Sequence, residues 1–374
     1  MLRLQVMMLF LIGKNSTIFT ASRLYRFNYQ YRRFSSKMLL EDFLVKIGEK
    51  IPLQLACEWD NVGLLVEPME KFQIKRIMLT NDLTEKVMDE SIVKNVDLII
   101  AYHPPIFRPF KSICQSNWKE RIIAKCLVNK IAVYSPHTAL DAIHGGINDW
   151  LLGPFKCSNI RPVEMSTQKP KFQYQIHLND GEKQESFIFD QLKAMNIPAQ
   201  INKSHGLIYC NGDILPIILD KINKQGTILS SITSCQKWPI LREGMGRIGK
   251  LSEPITINQI VSTLKTNLGL DRIRLALADN HADDTMIHSI GVCAGSGSSI
   301  LRQIRPSIDF FITGEMSHHE VLDAIHSGTS IALCEHSNTE RGYIRNVLYD
   351  YFVENFSSLS ISMSEVDRDP LQIV

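Results

Sequence analysis

The chain has 374 residues, of which 44% are hydrophobic and 21% are charged, a composition typical of a globular protein of two or three domains. No apolar run reaches the roughly 20 residues that a membrane-spanning helix requires, so we expect no membrane segment. The eight cysteines are widely spaced and include no Cys-x-x-Cys pair, which argues against a zinc ribbon or a redox dithiol and favours reduced thiols.

The first 37 residues differ in composition from the rest of the chain. They contain seven Lys and Arg residues, scattered Ser and Thr, and no acidic residue, a pattern that predicts a mitochondrial transit peptide. The alternatives are a disordered basic leader, or translation from Met38 that would leave the protein in the cytoplasm or nucleus. Without the leader, 34 Lys and Arg residues face 39 acidic residues, so direct nucleic-acid binding is disfavoured.

From Met38 onward, the spacing of apolar residues predicts an N-terminal lobe, residues 38–165, in which helices and strands alternate. The predicted elements are helix Leu39–Ile47, strand Arg76–Thr80, helix Glu85–Val93, strand Asp97–His103, helix Trp118–Val128 and strand Ile131–Ser135. Because the strands are apolar without alternation, both of their faces should be buried beneath helices.

The middle segment, residues 166–242, has a different pattern, bracketed by polar turns around residue 168 and Pro239. Its predicted elements are strand Phe172–His177, helix Glu185–Met195, strand Gly206–Cys210 and helix Ile214–Lys224. This order resembles a small ferredoxin-like α+β insert.

The last segment, residues 243–374, resumes the α/β pattern and forms the predicted C-terminal lobe. Its predicted elements are helix Ile257–Leu268, strands Ile273–Ala276, Ser289–Ala294, Ile308–Thr313 and Ile331–Leu333, and a terminal helix that runs toward Phe356. The predicted fold is therefore α/β, with two α/β lobes that flank a cleft and a middle insert between them.

Polar side chains follow the predicted strands where each strand ends, and ligands gather at the carboxyl ends of such strands. These residues are Asn81, Asp82, His103, His137, Asp141, Glu315, His336 and Glu340. A helix that begins after the last strand places His336 and Glu340 on one face, since they are four residues apart. Histidine and carboxylate ligands without cysteine favour zinc, iron or manganese at a catalytic site, so the cleft should bear a metal.

Each candidate also has a structural explanation. His103 could bond to backbone at its strand end, Asp141 could cap a helix, and Glu340 could pair with a nearby arginine. Of His318 and His319, at most one could join the site, because adjacent helical residues point apart. Gly295-Ser296-Gly297 could bind phosphate at a helix start, but a lone Gly-x-Gly is a weak signal and a tight strand-to-helix turn is the default explanation.

Several of these motifs together resemble the NIF-three-like family, and the closing Asp367 to Gln372 resembles its animal branch. The matching motifs are Trp59 to Leu64, Tyr102 to Phe107, His137 to Asp141, Thr313 to Glu315 and His336 to Arg341. Bacterial members are often called GTP cyclohydrolase one type two. The resemblance implies a two-lobed fold with a dinuclear metal site in a toroidal hexamer. It also implies four metal ligands, which are His103, Asp141, His336 and Glu340, with Glu340 as the bridge.

One departure from the family pattern concerns the number of ions. The family commonly has two consecutive histidines where this chain has Tyr102 and His103, and a phenol with a pKa near 10 is a poor ligand. We therefore expect one or two divalent cations per chain.

Two hypotheses for function follow. The first is a metal-dependent hydrolase for a small phosphorylated or nucleotide-like substrate, with His336 and Glu340 as catalytic residues. The second is a non-enzymatic partner of a transcriptional regulator with a structural metal, a role that the family resemblance implies for animal members. A weaker third idea is that the middle insert senses a small regulator.

Overall fold

The computed structural model describes seven stretches of the chain, which are residues 38–69, 73–168, 172–178, 190–195, 198–202, 206–225 and 229–372. The predicted leader lies outside these described residues. Within the described stretches, no helix combines the length and the apolar character needed to cross a membrane.

The first sheet has five strands and is mixed. Its order is β19 (Ser360–Met363), β4 (Arg76–Thr80), β5 (Leu98–Ala101), β6 (Ala132–Ser135) and β2 (Gly63–Val66). All neighbours are parallel except β2 and β6, which are antiparallel. A separate antiparallel pair, β1 (Met38–Leu39) and β3 (Gln73–Ile74), lies at the start of the described chain.

Helices cover both faces of this sheet, as the uninterrupted apolar strands predict. On one face lies α1 (Leu40–Lys50), and on the other lie α2 (Glu85–Val93) and α3 (Trp118–Val128). Alternate residues of β4 enter the two resulting cores, so that Ile77 packs in the core of α1 and Met78 in the core of α2. Thr84 and Asn117 cap α2 and α3 by accepting backbone N–H groups.

The second sheet has six strands. Its order is β15 (Arg274–Ala276), β18 (Ser330–Leu333), β17 (Phe310–Glu315), β16 (Met286–Ser296), β14 (Arg247–Thr256) and β7 (Cys157–Arg161). The central strands β16, β17 and β18 are parallel, and the outer strands are antiparallel to their neighbours. The remaining helices of the two lobes are α4 (His137–Ala142), α5 (Ile147–Leu152), α7 (Ile257–Leu268), α8 (Ser298–Ile304), α9 (His318–His326), α10 (Asn338–Tyr343) and α11 (Tyr349–Asn355). Of these, α7, α8 and α9 pack against the second sheet, whereas α4 and α11 belong to the core of α1.

The two sheets exchange strands. The late strand β19 joins the first sheet beside β4, whereas the early strand β7 joins the second sheet beside β14. The sequence analysis predicted neither strand. The first core also includes Phe352 and Phe356 from the end of the chain, both packed on Phe43 of α1. The C-terminal segment is therefore an integral part of the first half of the fold.

The middle insert is ferredoxin-like, as predicted. Four antiparallel strands have the order β10 (Gln200–Asn202), β11 (Leu207–Cys210), β9 (Tyr174–Leu178) and β12 (Leu229–Ser234), with helical residues 190–194 and α6 (Leu215–Gln225). The sequence analysis missed the outer strands β10 and β12, which are short or exposed.

The described segments that enter and leave the insert are strands, so the prediction of polar turns was wrong at Thr167, at Gln168 and around Pro239. The rest of the first predicted turn, residues 169 and 170, lies outside the described residues. β8 (Glu164–Gln168) and β13 (Trp238–Met245) pair as an antiparallel ribbon. The register shifts between Pro239 and Gly244, and this irregularity accommodates the proline within a paired strand. The domain boundaries at residues 165 and 242 remain a prediction.

Candidate metal centre

Three of the predicted ligands meet in the cleft between the two sheets. The ligand atoms of His103, His336 and Glu340 all lie within 4.8 Å of one another. His103 Nε2 is 3.5 Å from Glu340 Oε2, and His336 Nε2 is 3.4 Å from Glu340 Oε1. Each imidazole thus faces a different oxygen of one carboxylate, and that carboxylate is almost completely buried.

The fold explains why these side chains converge. His103 follows β5 by two residues, and His336 follows β18 by three, so each lies at the carboxyl end of a parallel strand. Glu340 lies in the first turn of α10, four residues after His336. The sheet edges that carry the two histidines therefore face each other across the cleft.

A carboxylate lies behind each imidazole. His103 Nδ1 is 2.9 Å from Asp82 Oδ1, and His336 Nδ1 is 2.8 Å from Glu315 Oε1. Nδ1–H of each ring donates to these carboxylates and Nε2 faces Glu340. A cation that replaced a proton on Nε2 would complete the arrangement found behind metal-bound histidines. The sequence placed Asp82 and Glu315 at strand ends but did not distinguish ligands from such partners.

A chain of ion pairs connects this site to the C-terminal tail. Arg341 Nη2 is 2.7 Å from Asp82 Oδ2, and Arg341 Nη1 is 2.7 Å from Asp367 Oδ1. Asp367 also accepts the backbone N–H of Asn81 at 2.7 Å, while the Asn81 side-chain amide donates to Glu340 Oε2 at 3.2 Å. Asp367 therefore holds Arg341, which pairs with the Asp82 carboxylate behind His103. It also holds Asn81, which donates to Glu340. The sequence analysis missed this role, although Asp367 belonged to a motif that it had noted.

The tail is fixed in turn against α2. The Glu90 carboxylate accepts the hydroxyl of Ser364, the backbone N–H of Glu365 at 3.0 Å, and the Lys94 ammonium at 2.6 Å. Burial opposes ionisation of Glu90, but these hydrogen bonds outweigh it, and its pKa lies below the ordinary value.

Gly295 makes room for the ligands. It has φ = +63°, in the left-handed region, and its backbone N–H donates to Thr339 Oγ1 at 2.8 Å. A Cβ atom at this position would lie 3.0 Å from Glu340 Oε1 and 3.1 Å from His336 Nε2. The glycine turn therefore allows the backbone to approach the ligands closely. This close approach is a third explanation for Gly295-Ser296-Gly297, beside phosphate binding and a simple tight turn.

The fourth predicted ligand, Asp141, lies outside this group of three. Its Oδ1 accepts a 2.8 Å hydrogen bond from the Tyr102 hydroxyl, and both side chains are buried. Burial raises the pKa of Asp141 to about 7 and that of Tyr102 well above its ordinary value. Tyr102 therefore faces Asp141 as a neutral donor, and ligation by Asp141 stays a prediction.

The other histidines near strand ends lie outside the group of three. His137 Nδ1 is 2.7 Å from Asp60 Oδ1, and Asp60 also accepts the backbone N–H of Thr138 at 3.1 Å. Asp60 thus orders the polar turn that the sequence predicted near the site. His318 and His319 are exposed at the start of α9, and neither belongs to the group of three.

The site attracts positive charge. Burial disfavours the imidazolium form of His103, but the carboxylates of Glu340 and Asp82 outweigh this effect and raise its pKa from 6.5 to about 10. The imidazolium proton of His103 thus faces the Glu340 carboxylate, and a divalent cation bound in its place would contact the same carboxylate.

A cavity of about 520 Å³ adjoins the three ligands. Trp59 and Phe107 line it with their ring centroids 6.0 Å apart, and both rings also contact His137 edge-on. Trp59 is 64% exposed and Phe107 is 40% exposed. The cavity therefore has an aromatic wall that solvent reaches, and the ligand group lines it as well.

The fold and the site together define a class, a two-lobed α/β protein with a candidate cation site of two histidines and one glutamate in its cleft. A family model described as Duf34/NIF3 (NGG1p interacting factor 3) matches residues 38–370, and the chain belongs to this family. The resemblance that the motifs predicted is thereby confirmed.

Relatives match over most of their length. NIF3-like protein 1 of Homo sapiens is 38% identical over 356 residues, which cover 91% of this chain and 93% of that protein. NGG1-interacting factor 3 of Saccharomyces cerevisiae is 29% identical over 325 residues, which cover 84% of this chain and 90% of that protein.

Solved structures share the fold. A Bacillus cereus protein related to NIF3 has a TM-score of 0.63 at 21% identity, covering 91% of this chain and 100% of that chain. Reduced HcgD from Methanocaldococcus jannaschii has a TM-score of 0.60 at 17% identity, covering 88% of this chain and 99% of that chain. At these identities the likeness supports the α/β fold alone.

Proposed function

We propose that this protein is a metal-dependent hydrolase that acts on a small phosphorylated or nucleotide-like substrate. The observation that supports the proposal is the convergence of His103, His336 and Glu340 within 4.8 Å beside a cavity of about 520 Å³. This nitrogen and oxygen ligand set suits zinc, iron or manganese.

The residues fit one cation better than two. Both Nε2 atoms share the Glu340 carboxylate, whereas Asp141 is engaged by the Tyr102 hydroxyl. That hydrogen bond engages Oδ1 alone, but Asp141 lies outside the group of three whose ligand atoms share one space. We therefore propose one divalent cation per chain.

When bound, a divalent cation would supply the Lewis acidity that activates water and stabilises a developing oxyanion. The protein's contribution is to prepare the ligands and the cavity. Asp82 and Glu315 orient the imidazoles, and the Asn81 amide orients Glu340. Trp59 and Phe107 offer ring faces and edges to a planar substrate.

Hydrolysis of a panel of phosphate esters and nucleotides by cation-loaded protein tests this function. We expect turnover that Glu340→Gln abolishes and that His319→Ala, which changes an exposed histidine outside the ligand group, leaves unchanged. Turnover that survives Glu340→Gln would place the chemistry elsewhere and overturn the proposal.

A second candidate function is a protein-interaction role. The yeast relative is named NGG1-interacting factor 3, and we propose a transcriptional regulator as the partner of this chain if no turnover is found. A stoichiometric partner that is captured equally by wild type and by His336→Ala would support a role that does not need the cation. If His336→Ala lost both the cation and the partner, a role independent of the cation would be contradicted.

Assembly and location remain proposals as well. We propose a homo-oligomer, in line with the hexamer that the family resemblance implies, and light scattering of the purified protein gives its mass directly. We also propose that the basic leader directs the protein to mitochondria. A fluorescent protein fused to residues 1–37 should then enter mitochondria, whereas a chain begun at Met38 should remain in the cytoplasm.

A further inference from the structure

A second depression of about 500 Å³ lies beside the cavity of the candidate metal centre. It is formed by the loop between β5 and α3 and by the first turn of α3. Phe107 and Lys119 line both the depression and the cavity, so the two spaces share a wall. The depression is therefore adjacent to the cavity, on the far side of these two side chains.

Three cations line this depression, and we call Arg108, Lys111 and Lys119 the basic annex. Arg108 and Lys111 are exposed, and Lys119 is half-buried with its ammonium 5.4 Å from the Trp118 ring centroid. Among the described residues, none of the three forms an ion pair with a carboxylate.

The one carboxylate that lines the depression does not neutralise the annex. Glu120 is largely buried, and its Oε2 accepts the backbone N–H of Cys114 at 2.6 Å. The depression therefore carries three cations against one carboxylate, in a chain whose residues after the leader are net negative.

We propose that the basic annex binds the phosphate group of a phosphorylated substrate whose other end lies in the metal cavity. Arg and Lys donors at one rim form charge-assisted hydrogen bonds with phosphate oxygens, and these bonds are stronger than neutral ones. The position of Lys119 in the lining of both spaces favours this interpretation over three merely solvated side chains. The proposal rests on the proposed function, since it names the chemical class of substrate for the same site.

Titration of metal-free full-length protein with pyrophosphate tests the annex separately from the cation. The annex variant changes Arg108, Lys111 and Lys119 to Gln. The control variant changes three exposed cations that line neither space, Lys156, Lys250 and Arg272, to Gln. Both variants lose the same net charge, so a difference between them reports local binding.

We expect the annex variant to bind pyrophosphate about tenfold more weakly than the control variant. Binding by wild type should also weaken as salt is raised, because exposed charges are screened. Equal affinities in the two variants, or no saturable binding by wild type, would overturn the proposal. Turnover of phosphate esters and nucleotides by the same wild-type preparation after cation loading reports on the proposed function independently, so the two can fail separately.

Discussion

Replacing Gly295 with alanine tests whether the cation site depends on close backbone approach. A new Cβ would lie 3.0 Å from Glu340 Oε1 and 3.1 Å from His336 Nε2, so two ligands would have to shift by a few tenths of an ångström. The left-handed backbone adds a strain of about 1–2 kcal/mol for an L-residue. We expect cation affinity to fall roughly 10- to 100-fold, the range seen when the support of metal ligands is disturbed.

Gly269→Ala is the matched control for this substitution. Gly269 has φ = +68°, close to that of Gly295, and a Cβ there would meet nothing within 4 Å. Both variants should therefore lose similar stability in urea denaturation, whereas only Gly295→Ala should lose cation affinity in competition with a chelator. Equal cation affinities in the two variants would refute the reasoning from ligand crowding.

Three more predictions concern the surroundings of the site. Asp367→Asn should weaken cation binding roughly tenfold in chelator competition, because it loosens the partners of His103, while exposed Glu365→Gln should not. Tyr102→Phe should destabilise the fold by about 1–3 kcal/mol in urea, because Asp141 loses its donor, and should leave cation content unchanged. The Glu90 carboxylate has a lowered pKa, so it stabilises the fold above pH 4.5 and loses this effect as the pH falls. Urea stability of Glu90→Gln should accordingly approach that of wild type in acid.

The ligand group could be predicted because strand direction constrains position. His103 and His336 each follow a buried apolar strand, one in each sheet, and ligands gather at the carboxyl ends of such strands. Glu340 follows His336 by four residues, so the helical spacing predicted that both side chains lie on one face. These relations depend only on element type and chain direction, which the apolar pattern reveals.

The role of each polar residue could not be predicted in the same way. Asp82 and Glu315 occupy strand ends like the ligands do, but each faces the Nδ1 atom of a histidine. His137 also follows a strand, yet its imidazole turns to Asp60. Ring orientation decides these roles, and it depends on contacts between residues far apart in the chain.

Two of the strands that escaped prediction, β12 and β19, have weak apolar patterns. In β12, all residues are exposed, and β19 alternates serine with apolar residues over only four positions. These segments are strands because they pair with an existing edge, β12 with β9 and β19 with β4. Pairing partners of this kind lie far away in sequence, so local propensity does not reveal them.

Cation content of the purified protein, measured by elemental mass spectrometry together with X-ray absorption at the metal edge, tests the central claim most directly. We predict one divalent cation per chain with two imidazole nitrogens and carboxylate oxygen around it, lost in His336→Ala and retained in His319→Ala. A protein without stoichiometric cation after reloading, or one whose cation survives His336→Ala, would contradict the account.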